Sequence, residues 1–161
     1  MIIRAATLQD TPEIVAIWND MIRNTLFTFT TEEKTDAGVS AMISDRPGAF
    51  WVAQTDRIAG FVTYAQFRTG PGYRTSVEHS IVLGEGARGQ GAGRALMDKA
   101  LASAAEQGRH IMVAGISAAN DGGVAFHQAL GFQHVGRMPE IAHKDGQWLD
   151  LILMQKMLSS P

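Results

Sequence analysis

The sequence contains no cysteine in 161 residues, which excludes disulfides, thiolate metal sites and a cysteine nucleophile. No apolar run approaches the ~18 residues of a membrane-spanning helix. Charge is also balanced: 14 Lys and Arg stand against 16 Asp and Glu, for a formal net charge of -2. That balance argues against a nucleic-acid surface or a polybasic membrane patch. There is no internal repeat, low-complexity tract or linker. The histidines, His79, His110, His127, His134 and His143, show no metal-ligand spacing, so no metal is expected. The chain opens directly on strand-like Ile2-Ile3-Arg4, without a signal-peptide pattern. The expectation is one cytoplasmic domain over residues 1–161.

What is present centres on Ser76 to Leu101. Val77, Ile81, Val82 and Leu83 give a buried strand, and Gly84 ends it. Leu96, Met97, Ala100, Leu101 and Ala104 then fall at helical spacing, with a stop at Gly108. Before this segment, Ile2–Ala5 reads as a strand, followed by a helix capped by Asp10 or Thr11 with Ile14, Ile17, Trp18, Met21 and Ile22 on one face. A second helix is predicted from near Glu32 to Ser44, then a hairpin of Phe50–Ala53 and Ile58–Phe67. After it come a strand at Ile111–Ile116, a helix at Asn120–Leu130 and a final hairpin of Phe132–Met138 and Trp148–Met157. Helices interleaved with a mostly antiparallel sheet indicate an α/β or α+β fold rather than a doubly wound parallel one.

Between strand and helix lies Arg88-Gly89-Gln90-Gly91-Ala92-Gly93. Glycines there let backbone N–H groups converge in front of a helix N-terminus, a combination that binds phosphate. A Walker loop would need Lys-Ser/Thr after Gly91, where Ala92-Gly93 stands. A dinucleotide fingerprint over Gly84-x-Gly86-x-x-Gly89 would need an acidic residue at the end of the next strand, which instead ends in Ser117-Ala118-Ala119. Arg88-x-x-Gly91-x-Gly93 resembles the signature of the GNAT superfamily of acyl-CoA N-acyltransferases. The element order and Asn120-x6-His127-x3-Gly131-Phe132 are similar to that family's as well. Val77-Glu78-His79-Ser80 and Trp148-x-Asp150 resemble its phosphinothricin and methionine-sulfoximine acetyltransferase branch.

The resemblance implies a GNAT fold, acetyl-CoA as cosubstrate, a small amino acid or analogue as acceptor, and a homodimer. It implies that Ile81, Val82 and Leu83 pair with the pantetheine arm through their backbone. By the same carry-over, Arg88, Gly89, Gln90, Gly91, Ala92 and Gly93 cradle the diphosphate and Asn120 also contacts the cofactor. Glu78 falls at the position of the general base, and Phe29, Arg68, Arg74 and Glu78 at substrate contacts.

The residues themselves make chemical sense of this. An ammonium must lose a proton before it attacks a thioester, and Glu78 within an apolar strand is a carboxylate whose basicity burial raises. Strand alternation places Arg74, Ser76, Glu78 and Ser80 on one face. A backbone N–H near Leu83 is a candidate oxyanion donor. The leaving thiolate is either protonated by His127 or departs unassisted. Without cysteine or a Ser-His-Asp spacing, attack is expected to be direct, with no acyl-enzyme. The Lys144-Asp145-Gly146-Gln147 turn reads as a lid, a dimer contact or only a turn. Rival readings are a polyamine, an aminoglycoside or a protein N-terminus as acceptor, and a non-catalytic acyl-CoA sensor.

Overall fold

In the computed structural model, which describes residues 1–158, the β-branched runs assemble into one seven-stranded sheet. Residues 159–161, the end of the expected domain, lie outside the described residues. The elements run β1 (Ile2–Ala5), α1 (Thr11–Asn24), α2 (Asp36–Asp45), β2 (Phe50–Gln54), β3 (Ile58–Gln66), β4 (Ser76–Leu83), α3 (Ala92–Glu106), β5 (Ile111–Ser117), α4 (Gly123–Ala129), β6 (Gln133–Lys144) and β7 (Gln147–Met157). The strand order is β1-β2-β3-β4-β5-β7-β6. All neighbours are antiparallel except β4 and β5, which α3 connects as a parallel crossover.

Each face of the sheet buries a different pair of helices. The amphipathic stripe of α1 (Ile14, Trp18, Ile22) and Val39 of α2 pack on Phe50, Val52, Ile58, Phe61 and Val82. On the opposite face Leu96, Met97, Ala100 and Ala104 of α3 pack on Val62, Tyr64, Val77, Met112 and Ala114. Because α1 and α2 lie over β2, β3 and β4, the same face of β5 is left uncovered at Gly115.

Four readings change at their edges. Helix α2 begins at Asp36 rather than Glu32, because Thr35 is the cap and its side chain accepts from the Gly38 N–H. Asp10 precedes α1 as expected, yet its carboxylate does not cap that helix; it accepts from Arg4 and from the Thr7 N–H. Strand β6 runs six residues past Met138, through Pro139. A register shift between Met138 and Ala142, with Glu140 at φ +54°, absorbs the proline, and Asp150 accepts the Glu140 N–H to hold the bulge. The face shared by Ser76, Glu78 and Ser80 stops short of Arg74, because β4 begins only at Ser76 and Arg74 closes the one-turn 3-10 helix Pro71–Tyr73.

Phe61 is fully buried, with its ring 4.8 Å from Trp18 and 5.6 Å from Phe50. Phe61→Ala should cost about 3–5 kcal/mol, hence roughly 6–20 °C in Tm for a domain of this size. A thermal melt within about 2 °C of wild type would refute the placement of Phe61 at the centre of this core.

Candidate active site

The site begins where two paired strands part. β4 and β5 are in register only over Ser76–Glu78 and Ile111–Val113. Beyond Glu78, β4 stays on β3 as far as Leu83, while β5 stays on β7 as far as Ser117. The Gly84 N–H donates to the Ala59 carbonyl at 2.8 Å, which fixes the alternation of the β3–β4 ladder. The N–H and C=O groups of Ile81 and Leu83 therefore turn toward β5 beyond the last paired residues, Glu78 and Val113, where no strand meets them. Val82 turns its own toward Phe61, so of the three residues expected to pair with a ligand through their backbone, only Ile81 and Leu83 present it to the opening.

The glycine turn lies at the end of that opening. Gly91, at φ +83°, is the N-cap of α3 and supplies no side-chain acceptor, leaving the helix's first N–H groups unspent. A Cβ at Gly86, Gly89 or Gly91 would have nothing within 4 Å. That is open space in front of a helix N-terminus, and it fits a diphosphate. Ala92 is buried, and a Cβ at Gly93 would stand 3.3 Å from the Phe126 ring and 3.4 Å from Leu83 Cδ1. The close approach of Gly93 thus sets the tip of β4, α3 and α4 together. Gln90 Nε2 donates to the Gly86 carbonyl within the turn, and the Arg88 guanidinium lies 5.2 Å from the centre of the Phe27 ring. Helix α4 begins at Gly123 rather than at Asn120; Asn120 lies in the turn before it, its carbonyl accepting the Gly123 N–H and its own N–H donating to the Ser117 carbonyl.

Glu78 stands at the fork itself. Its carboxylate is partly buried and has no hydrogen bond or ion pair among the described residues. Burial alone pushes its pKa above the ordinary glutamate value. Gly115 on β5 leaves room beside it: a Cβ there would stand 3.0 Å from Glu78 Oε2.

On the opposite face, His79 of β4 meets His127 of α4, with Nε2 to Nε2 at 3.0 Å. His127 Nδ1 lies 2.7 Å from the Gly123 carbonyl and must donate to it. Burial holds both rings below the ordinary histidine pKa, His79 down to about 3 with the neighbouring His127 charge as a second cause. With both rings neutral, His79 supplies the one shared proton and His127 has no free N–H to give a leaving group. His127 is thus held inside the protein at both ring nitrogens, a restraint that strand and helix spacing cannot reveal.

The predicted substrate residues are only partly gathered. Phe29 lies in the irregular segment 25–35 between α1 and α2. Arg68 and Arg74 are exposed in the loop before β4, with Arg68 5.4 Å from the Phe67 ring centre and the Arg74 carbonyl accepting from Arg109. Two residues outside the sequence-based site hold the 25–35 segment. Asn19 Oδ1 accepts the Lys34 N–H at 2.7 Å, and the buried Lys144 ammonium donates to three carbonyls near the segment's start. No group of three or more His, Cys, Asp or Glu able to hold a metal occurs among the described residues. A recess of about 610 Å³ lies on the α1 side of the glycine turn, between Ile17, Arg57 and Gln90; Glu78 does not line it, and the fork is the chemically equipped site.

Residues 14–132 match the acetyltransferase (GNAT) family. The chain belongs to that family. This acetyltransferase is 35% identical over 158 residues to the L-methionine sulfoximine/L-methionine sulfone acetyltransferase of Pseudomonas aeruginosa, covering 95% of this chain and 92% of that one. A GNAT superfamily phosphinothricin acetyltransferase from Sinorhizobium meliloti, solved in complex with AcCoA, superposes with a TM-score of 0.93 at 31% identity, over 98% of this chain and 88% of that one. A ribosomal-protein-alanine N-acetyltransferase from Brucella melitensis superposes with a TM-score of 0.94 at 34% identity, over 98% and 100% of the two chains.

The histidine pair makes the acetyltransferase acid-sensitive in a definite direction. A histidine whose folded pKa lies below its unfolded value of ~6.5 stabilises the fold fully above that value, and the stability is lost as pH falls toward the folded pKa. Wild type should therefore lose stability on acidification between about pH 6.5 and pH 3, and His79→Phe should flatten that slope. Urea midpoints measured across this range check it; parallel slopes for the two proteins would contradict a neutral buried pair.

Proposed function

We propose that this acetyltransferase moves the acetyl group of acetyl-CoA onto the amino group of a small amino acid or analogue of the methionine sulfoximine, methionine sulfone and phosphinothricin type, by direct attack. The observation that carries the proposal is Glu78: a partly buried carboxylate without a partner among the described residues, at the point where β4 loses its second neighbour. A carboxylate fixed for structure is paired or hydrogen-bonded; this one is left to take a proton from something that enters the fork. The relatives support the acceptor class by their names, and the whole of residues 1–161 is assigned to the one activity.

The amides from Arg88 to Gly93 would hold the diphosphate, with Ile81, Leu83 and Asn120 along the arm. When bound, acetyl-CoA supplies an activated acyl group on a thiol leaving group. The chain's own work is then to hold the amine next to Glu78 Oε1 and Oε2, to accept its proton there, and to offer the unpaired Leu83 N–H where negative charge develops. A thiolate is a far better leaving group than an alkoxide or an amide anion, so the reading asks no proton of His127, whose two ring nitrogens are both engaged. Arg68, Arg74 and Phe29 form the outer substrate wall, the arginines suiting a carboxylate or an anionic side chain. We assign the protein to the cytoplasm, in keeping with the absence of cysteine, and to a homodimer, for which Val135, Met138, Ile141 and Trp148 on β6 and β7 offer exposed apolar surface.

Thiol release from acetyl-CoA should be followed with methionine sulfoximine, methionine sulfone and phosphinothricin, and with a polyamine, an aminoglycoside and an alanine-initiated peptide. Turnover confined to the first three supports the reading. Turnover confined to the peptide moves the activity to protein N-termini, and acetyl-CoA binding without turnover of any amine makes the protein a sensor. Glu78→Gln should lower kcat by about 10²- to 10⁴-fold and leave acetyl-CoA affinity within about twofold. Wild-type kcat/KM should rise with pH through an acid limb above 4.5, the ordinary glutamate value, because only the ionised form is a base and burial raises its pKa. Equal loss of turnover and acetyl-CoA affinity in Glu78→Gln would assign Glu78 a structural role instead.

A further inference from the structure

One buried charge has no part in this chemistry. Lys144, the last residue of β6, is 3% exposed. Its Nζ donates to the carbonyls of Ile22 at 2.8 Å, Thr25 at 2.9 Å and Thr28 at 3.0 Å. An ammonium has three N–H donors, and all three are used here on carbonyl oxygens, with no carboxylate among its partners. Burying a cation without an anion is costly, and an apolar residue would fill the same space more cheaply. The carbonyls at the C-terminal end of α1 carry partial negative charge, which offsets part of that cost. The arrangement is therefore better explained by what it shapes than by what it stabilises.

Its three acceptors lie within residues 22–28, so the ammonium fixes the bend by which the chain leaves α1. Asn19 fixes the far end of the same segment through Lys34, bonding its carbonyl and its N–H at 3.0 and 2.7 Å. Phe27 sits inside the bend, and its ring is the platform for the Arg88 guanidinium at 5.2 Å. A planar cation over an aromatic face is held electrostatically and by contact, so where the ring stands decides where Arg88 stands. Arg88 in turn opens the glycine turn.

We propose that Lys144 is a positioning residue for Arg88: acting through the 22–28 bend and the Phe27 ring, it sets the affinity of the glycine turn for acetyl-CoA. The inference rests on the reading of Arg88–Gly93 as the diphosphate cradle. It ties the tip of the β6–β7 hairpin, which reads in sequence as a lid, a dimer contact or only a turn, to the cofactor end of the site.

Acetyl-CoA dissociation constants and both Michaelis constants, measured on the full chain, test it. Lys144→Met and Phe27→Leu should each weaken acetyl-CoA about three- to tenfold while the amine KM moves less than twofold, and Lys144→Arg should recover part of the loss. The double variant should be no weaker than the worse single one, because both changes break the same chain of contacts. Folded Lys144→Met with wild-type acetyl-CoA affinity overturns the inference, as does an equal rise in both Michaelis constants or full additivity in the double variant. If Lys144→Met does not fold, Phe27→Leu decides alone, and unchanged acetyl-CoA affinity there overturns it. Arg88→Ala separates the two levels. Without effect, it brings down this inference and leaves the cradle, which is built of main-chain amides, standing; if it weakens acetyl-CoA while Lys144→Met and Phe27→Leu are silent, the link through Lys144 fails. Wild type that binds no acetyl-CoA brings down the cradle reading and this inference together.

Discussion

The structure depends on a hydrogen-bond ladder that is started and then abandoned. A parallel strand pair ordinarily continues until one strand ends, because an unpaired buried N–H or C=O costs about 1–3 kcal/mol. Here β4 and β5 share only Ser76–Glu78 and Ile111–Val113, then each continues with its other neighbour alone. Those other pairings, with β3 and β7, hold the two strands in place while they diverge. The polar edge of Ile81 and Leu83 is left without a strand partner, and an extended amide-containing chain is what such an edge accepts.

The fork also explains why the two titratable neighbours on β4 behave oppositely. Glu78 and His79 are adjacent, so their side chains leave the sheet on opposite faces. The α1–α2 layer ends before β5, and Glu78 emerges at that margin, desolvated enough to be a stronger base yet still reachable. His79 emerges under α4, against Phe132 and His127, where burial holds its pKa near 3 and its proton is shared with a second ring. On the proposed reading, one face is arranged for proton transfer and the other for keeping protons in place. This assignment of roles follows from burial and not from residue type, since histidine is the commoner acid-base catalyst.

Much of this was legible in the sequence where local periodicity governs structure. The alternation from Ser76 to Ser80, the glycine turn and the stripe of α3 depend on neighbours two to four residues apart. Legibility failed where a distant partner decides. Thr35 starts α2 although acidic residues nearer Glu32 also suit a first turn. Pro139 ends a strand on local rules, yet Asp150, from the neighbouring strand, holds the bulge that lets β6 continue. Lys144 carried no signal, because a lysine beside Asp-Gly is the commonest kind of exposed turn residue. Only the tertiary fold places its ammonium more than a hundred residues back, on α1.

Gly93 shows how the packing side and the reacting side constrain each other. Its missing side chain lets Phe126 and Leu83 close on the first turn of α3, which is how the tip of β4 and the helix N-terminus reach the same place. Gly91, two residues earlier, is free of neighbours and is glycine for its left-handed backbone. The two glycines of the signature therefore answer to different forces, one to close packing and one to chain geometry. On the proposed reading both are required at once, because amides that point correctly but stand away from the β4 edge would hold the diphosphate of a cofactor whose thioester never reached Glu78.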